Sequence, residues 1–357
     1  MIKTVMEMLP KMETMRSGGV IRGEKTGFSC LDALYSVKQG TYTLIYSEPT
    51  HGKSEFSFEM CLNQVEKSGK RCLICSPETG TVDEIIAELV HKVTGKKIHK
   101  TEYEHTTDIE FMTTMEWLNE YFLIVDTDEQ TYSVPQLFEM ADEWEKQNPK
   151  KTIDIIVGEP YNELDHSDMS IKFGARQDLY IEDLISVIRR LCRKKKRHFI
   201  LTIHPSGSAT PITDKHGYSY YPKPLPRQAA GGQALYRKAM TWITLWRPPL
   251  RYKNQPDNPD PVFDNEVHVY IDKAKPKGVS VKGMCKMYFD WKKNRYYEKV
   301  NGLDLYAFEH SKEMKVFQGK TPVNAFIEPV KDETDLFASV TSNITVLETD
   351  IDPDSPF

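Results

Sequence analysis

Three consecutive residues, Gly52-Lys53-Ser54, carry the clearest chemistry in the chain. Glycine lets a backbone approach a ligand closely, lysine supplies a mobile cation, and a serine hydroxyl can ligate a hard metal ion. Ahead of them Tyr42 to Tyr46 is a short apolar, β-prone run. Behind them, apolar residues at 56, 58, 61 and 62 suit a half-buried helix. Strand, loop, Gly-Lys-Ser and helix follow in the order of a phosphate-binding loop, where backbone N–H groups and a helix N-terminus hold the anion. On this pattern Ser47, Pro49, Thr50, His51, Gly52, Lys53, Ser54 and Glu55 line a nucleotide site. Lys53 reaches the β- and γ-phosphates of ATP, and Ser54 ligates Mg²⁺. The pattern usually opens with glycine; Ser47 stands there, and the position requires only a small residue.

Hydrolysis of a bound nucleotide needs more: a base to orient water, an acid near the metal, and a cation for the charge that develops on the γ-phosphate. Glu78 follows the apolar run Arg71-Cys-Leu-Ile-Cys-Ser76, where a strand end opens onto the same crevice as the loop. It is the candidate base, and a surface glutamate that starts a helix is the competing reading. Glu159 closes the run Ile155-Ile156-Val157-Gly158, where an aspartate is expected; its longer carboxylate still reaches a metal-bound water. His204 ends Thr202-Ile203 and suits a sensor of nucleotide state, or a histidine that caps a strand. Arg247, after Trp242-Ile-Thr-Leu-Trp246, is the first candidate for a cation reaching a neighbouring subunit's γ-phosphate; Lys238, Lys273 and Lys275 follow it.

The elements that must position these residues alternate. After the loop helix, strands are expected at 71–76, 121–126, 152–157 and 198–203, and helices at 82–94, 134–147 and 179–192. That alternation implies an α/β fold whose central sheet is mostly parallel and flanked by helices. Further strands at 242–246 and 266–271 lead to a terminal antiparallel hairpin at 284–290 and 295–297. Residues 1–19 read as a short helix and linker, which either docks on a neighbour or frays. Residues 20–300 form the main domain, and 301–357 a weakly patterned extension with an acidic tail. Between Pro205 and Gly232 regular patterning lapses for more than twenty residues, a length that marks a functional or mobile loop.

Composition narrows the class without naming it. With 39% hydrophobic and 28% charged residues among 357, the chain is ordinary for a globular protein. Its formal charge of −5 does not exclude nucleic acid, because basic groups can line one channel. The six cysteines sit mostly inside apolar runs and read as reduced core residues; Cys72-Leu-Ile-Cys75 has metal-like spacing but no second pair. The run Arg193-Lys194-Lys195-Lys196-Arg197 reads as a solvated basic turn at the sheet edge opposite the nucleotide. Neither a signal peptide nor an apolar run of membrane length is present, so a cytoplasmic location without a membrane partner is expected.

The ordered set Gly27-Phe-Ser-Cys-Leu-Asp, Ser47-Glu-Pro-Thr-His-Gly-Lys-Ser, Ser76-Pro-Glu78, Glu159-Pro-Tyr-Asn-Glu-Leu-Asp-His, His204-Pro and Gly231-Gly-Gln-Ala-Leu-Tyr-Arg-Lys238 resembles the RecA-like helicase domain of the DnaB/Twinkle family. It is most similar to the helicase half of phage Twinkle-type primase–helicases, over roughly residues 20–300. The resemblance implies a RecA-like P-loop NTPase core in a homo-hexameric ring that moves 5′ to 3′ along single-stranded DNA, with ATP between subunits. It gives Lys53 phosphate binding, Ser54 Mg²⁺, Glu78 the base, Glu159 the metal-assisting carboxylate, His204 a switch and Arg247 the arginine finger. It also implies a replication fork in a phage-infected bacterial cell. Nothing of primase size stands in this sequence, so a separate primase is expected as a partner. DNA contacts are expected from Lys172 and Arg176 in residues 165–177, and from Lys223, Arg227 and Tyr218, Tyr220 and Tyr221 in the long loop. The end Thr349-Asp-Ile-Asp-Pro-Asp-Ser-Pro-Phe357 resembles the acidic tip of bacterial single-stranded DNA-binding proteins, and suits docking to other replisome proteins. Two alternatives remain at this point: a RecA-like recombinase or loader, and a nucleotide-binding scaffold whose fourth-strand carboxylate has cost it turnover.

Overall fold

The apolar run Tyr42–Tyr46 is a strand, β1, and every residue in it is buried, as in a strand covered on both faces. The computed structural model describes residues 2–19, 22–174, 176–207, 210–213, 219–248, 265–277, 279–308 and 344–345. The other strands are β2 (Cys72–Cys75), β3 (Phe122–Ile124), β4 (Ile155–Gly158), β5 (His198–Ile203), β6 (Ile212–Thr213), β7 (Ser219–Tyr220) and β8 (Thr241–Trp246). They continue as β9 (Glu266–Lys273), β10 (Gly283–Asp290), β11 (Arg295–Val300), β12 (Leu303–Tyr306) and β13 (Ile344–Thr345). The helices are α1 (Leu9–Gly18), α2 (Ser29–Asp32), α3 (Lys53–Ser68), α4 (Val82–Thr94), α5 (Asp108–Tyr121), α6 (Val134–Gln147), α7 (Asp168–Phe173), α8 (Gln177–Lys195) and α9 (Gly232–Lys238).

One sheet runs in the order β12-β11-β10-β9-β8-β1-β5-β4-β2-β3, with β13 paired to β10. From β8 to β3 every neighbouring pair is parallel; from β8 to β12 every pair is antiparallel. The α/β fold with a mostly parallel sheet is therefore as expected, and the terminal hairpin is part of a four-strand antiparallel extension. Because β12 pairs with β11, the sheet runs past the boundary drawn at residue 300.

Local rules explain the helix limits. Thr81 and Glu84, Thr107 and Glu110, and Ser133 and Gln136 form reciprocal caps at the starts of α4, α5 and α6. Side chains alternate across β1, so Ile45 faces a core built on Phe56, Ile74 and Leu89, whereas Tyr42 and Leu44 face one built on Leu184 and Ile188. All six cysteines are free and buried. Helix α1 forms where the sequence suggests, yet none of its residues is buried. The basic turn needs one correction. Arg197 is 2% exposed and ion-paired at 2.8 Å to Asp142 and to Glu145, which tie the end of α8 to α6. The acidic tail at 349–357 and Tyr218 lie outside the described residues.

Candidate nucleotide site

Because β1 lies between β5 and β8, its C-terminal end opens at the centre of the sheet, where a parallel α/β sheet offers its ligand crevice. The chain leaves β1 through Ser47 and Glu48, turns with Thr50 at φ 64° and Gly52 at φ 85°, and enters α3 at Lys53. A Cβ on Gly52 would collide with the Tyr296 hydroxyl, so the left-handed backbone and the close neighbour both require glycine. Lys53 is 6% exposed, and its Nζ donates to the carbonyls of Ser47 and Glu48 at 3.5 and 3.4 Å. Burial pushes the lysine below its ordinary pKa, while the charges of Glu78, Glu159 and Glu48 oppose the shift.

Four strand ends converge on this lysine. Glu159, at the end of β4, is 1% exposed; it accepts hydrogen bonds from Ser57 Oγ at 2.6 Å, Ser76 Oγ at 3.1 Å and Thr79 Oγ1 at 3.4 Å. Burial raises its carboxyl above the usual range, opposed by hydrogen bonding from Ser54, Ser57 and Ser76 and by the charge of Lys53. Ser54 and Glu159 therefore stand side by side. Among the described residues no cluster of three or more His, Cys, Asp or Glu could hold a metal alone. A hydroxyl and a carboxylate fit Mg²⁺, which takes few protein ligands and completes its shell with phosphates and water. Past the end of β2, Glu78 projects into solvent, and its Oε2 lies 2.7 Å from His204 Nε2 at the end of β5. The predicted base and the predicted switch are thus in direct contact.

The sequence and the fold have counterparts among known proteins. No protein-family model matches the chain. Over 218 residues it is 26% identical to the Twinkle homolog protein, chloroplastic/mitochondrial, of Arabidopsis thaliana, a match covering 58% of this chain and 30% of that protein's length. The fold is similar to that of the ATPase domain of G40P, with a TM-score of 0.61 at 15% identity over 83% of this chain and 99% of the other. It is also similar to a structure described as a DnaB-like replicative helicase and its interactions with primase, with a TM-score of 0.62 at 18% identity, over 83% of this chain and 67% of the other. The chain thus shares its fold with both of these structures, and its sequence is similar to part of the Twinkle homolog.

Arg247 lies next to the loop. Strand β8 runs parallel to β1, so the residue after its end emerges beside the chain's own P-loop. With Thr50, His51, Gly52, Glu55, Val267, Phe289, Trp291 and Tyr296, Arg247 lines a cavity of about 70 Å³ next to the loop. Its guanidinium carbon lies 4.8 Å from the centre of the Trp291 ring. Burial, with the charges of Arg247 and Lys53, pushes His51 down to about 4, so the imidazole is neutral near pH 7. Arg247 therefore stands beside the P-loop of its own chain. Of the other cations considered for the trans finger, Lys273 Nζ donates to the carbonyls of Tyr236 and Arg237 at 2.6 and 2.7 Å, capping α9. Burial, with the charges of Lys275, Arg189 and Lys282, lowers Lys273 to about 8. Lys238 faces Glu182 at 3.5 Å, and Lys275 is exposed.

The expected DNA-contacting residues divide. Lys172 and Arg176 are exposed and paired with Asp168 and Asp178 within their own segment. Arg227 is exposed on a 3₁₀ turn, Pro226–Gln228. Lys223 is placed otherwise: its Nζ is 2.5 Å from Asp272 Oδ1 and 4.0 Å from the centre of the Tyr270 ring, which anchors the loop to β9. The loop's two ends also meet at His204, where the Ala230 amide donates to the His204 carbonyl at 2.8 Å and the Ser206 amide to the Gln228 carbonyl at 2.8 Å. Sequence reasoning missed Trp291, Phe289 and Tyr296, which come from the antiparallel extension. It also missed the hydroxyls of Ser57, Ser76 and Thr79 around Glu159, although Ser76 stood inside a motif already singled out.

Proposed function

We propose that this domain is the motor of a replicative DNA helicase: it binds ATP with Mg²⁺ at residues 47–55 and uses hydrolysis to move along single-stranded DNA and open duplex. The observation that carries the reading is the convergence of Lys53, Ser54, Glu159 and the Glu78–His204 pair at four neighbouring strand ends. Lys53 and the loop amides hold phosphate charge, Ser54 and Glu159 hold the metal and its water, and Glu78 accepts the proton of the attacking water. Bound Mg²⁺ supplies neutralisation of the phosphate charge. The Arg247–Trp291 face offers a nucleobase a cation and an aromatic plane beside the phosphates.

His204 joins the two halves of the cycle. Its side chain contacts Glu78, and its carbonyl holds the Ala230 amide at the far end of the 205–232 loop. A change at the γ-phosphate that moves this histidine is passed to the loop, where Arg227 meets DNA phosphates and exposed Tyr221 offers a stacking face. The wider reading follows the resemblance: a homo-hexamer moving 5′ to 3′ at a replication fork, served by a separate primase and other replisome proteins, in the cytoplasm of a phage-infected bacterial cell. Among the described residues no helix is long and apolar enough to cross a membrane.

Steady-state ATP hydrolysis with and without single-stranded DNA tests this, together with strand displacement on forks bearing a 5′ or a 3′ tail. DNA-stimulated hydrolysis, abolished by Lys53→Ala, and unwinding that requires a 5′ tail are expected. DNA-stimulated hydrolysis without unwinding would favour a recombinase or loader instead. A second reading, a nucleotide-binding scaffold with slow turnover, draws on the four-sided enclosure of Glu159 by Ser54, Ser57, Ser76 and Thr79. Tight ATP binding with no turnover would favour it.

A further inference from the structure

Strand β11 brings two adjacent side chains to the P-loop helix from more than 230 residues away. Arg295 Nε donates to both oxygens of Glu59 at 2.8 and 2.9 Å, and both side chains are fully buried. Arg295 Nη1 donates to the Lys92 carbonyl at 3.2 Å, and the guanidinium carbon lies 3.7 Å from the centre of the Phe308 ring. The neighbouring Tyr296 packs its ring edge-on against Phe56 and Phe289, with centres 5.5 and 5.0 Å apart. Its backbone amide donates to Glu59 Oε2 at 3.4 Å, and its hydroxyl donates to the carbonyl of Gly52 at 3.1 Å.

That carbonyl also accepts the Phe56 amide at 2.9 Å, the first hydrogen bond of α3. In a planar trans peptide the carbonyl of one residue and the N–H of the next point in opposite directions. Two donors that fix the Gly52 carbonyl from the helix side therefore turn the Lys53 N–H the other way, toward the position of an anion at the helix start. They also polarise that peptide and make its N–H a stronger donor.

We propose that Tyr296 is a positioning residue for phosphate binding: its hydroxyl, braced by the Arg295–Glu59 pair, orients the Gly52–Lys53 peptide that holds the nucleotide's triphosphate. This rests on the nucleotide-site reading above. It adds that the antiparallel extension, remote in sequence, sets the affinity of the loop for phosphate.

The test is Tyr296→Phe, which keeps the ring and removes only the hydroxyl. Calorimetric titration with Mg-ATP and with Mg-tripolyphosphate, which has no base, reads the phosphate contribution directly. Loss of one neutral hydrogen bond should weaken both by about three- to tenfold, with KM for ATP rising more than kcat falls. Unchanged affinity for both, even with a lower unfolding midpoint, overturns the proposal and leaves Tyr296 a packing residue. Weakening for Mg-ATP alone also overturns it, because the hydroxyl would then serve the base slot. Wild-type protein that takes up neither ligand overturns the nucleotide-site reading and this inference with it. Wild-type binding that Lys53→Ala abolishes upholds the site, and Tyr296→Phe then decides the inference alone.

Discussion

His204 Nε2 and Glu78 Oε2 lie 2.7 Å apart although 126 residues separate them in the chain. Their strands are not adjacent, for β4 lies between β2 and β5, so the two side chains meet across the mouth of the crevice. The contact joins the candidate base to the residue that precedes the long loop.

Glu78→Gln should leave ATP affinity within about twofold of wild type and lower hydrolysis by about 10²- to 10⁴-fold, the usual contribution of a general base. His204→Ala should act differently. Glu78 loses its partner but keeps its charge, so basal hydrolysis should survive better than in Glu78→Gln while stimulation by single-stranded DNA collapses. Hydrolysis measured across a DNA titration separates the two, and equal loss in both variants would argue that the pair acts only as a structural tie.

Glu159 gives a pH-dependent prediction. Burial raises its carboxyl in the folded protein, so the folded state binds the proton more tightly than the unfolded chain does. A raised carboxylate contributes stability that is present at low pH and lost as pH rises through the folded value. Glu159→Gln should therefore unfold at a higher temperature than wild type at neutral pH, and the advantage should shrink as pH falls toward the ordinary carboxylate range. On the proposed role of Glu159 beside the metal, the same variant should lose about 10- to 100-fold in Mg²⁺-dependent hydrolysis. Thermal melts across pH without nucleotide check the first half; a variant less stable than wild type at neutral pH would contradict it.

What was legible in the sequence was what is local. The P-loop, its strand and its helix are contiguous, and Glu78, Glu159 and His204 were singled out because each follows an apolar run. Which strands lie side by side in the sheet was not legible. The parallel pairing of β8 with β1 brings Arg247 to the P-loop of its own chain, a neighbourhood that the sequence did not reveal. Tyr296 and Trp291 were invisible as site residues because no spacing rule relates them to Gly52; only the antiparallel register of β8 to β11 carries them there. Lys223 was read as a free loop cation because its partner, Asp272, lies 49 residues away on β9.

The slot formed by Arg247 and Trp291 predicts how base and phosphate affinities divide. Trp291→Ala should weaken ATP binding by about 1–3 kcal/mol, the range for loss of one aromatic–base stack, and leave Mg-tripolyphosphate affinity unchanged. Arg247→Ala should weaken ATP binding in its own subunit, measured at dilutions where the protein is monomeric. Normal monomer affinity with a defect only on assembly would give Arg247 the role of a trans-acting finger instead.

Two cations of the same loop should behave oppositely toward DNA. Arg227 is exposed at the tip of a 3₁₀ turn, whereas Lys223 is committed to Asp272, which also accepts from Thr244 Oγ1 at 2.5 Å. A lysine that contacts one DNA phosphate releases counterions, and its loss lowers the slope of log affinity against log salt by about 0.7 for a single strand. Arg227→Ala should show that reduced slope together with weaker binding and less DNA-stimulated hydrolysis, while basal hydrolysis persists. Lys223→Ala should leave the slope unchanged and lower the unfolding temperature, because Asp272, only 11% exposed, is left without its cation. Affinity for oligothymidylate measured from low to moderate salt distinguishes them. A reduced slope in Lys223→Ala with none in Arg227→Ala would mean that the Lys223–Asp272 pair opens on DNA and that this lysine, not Arg227, holds the phosphate.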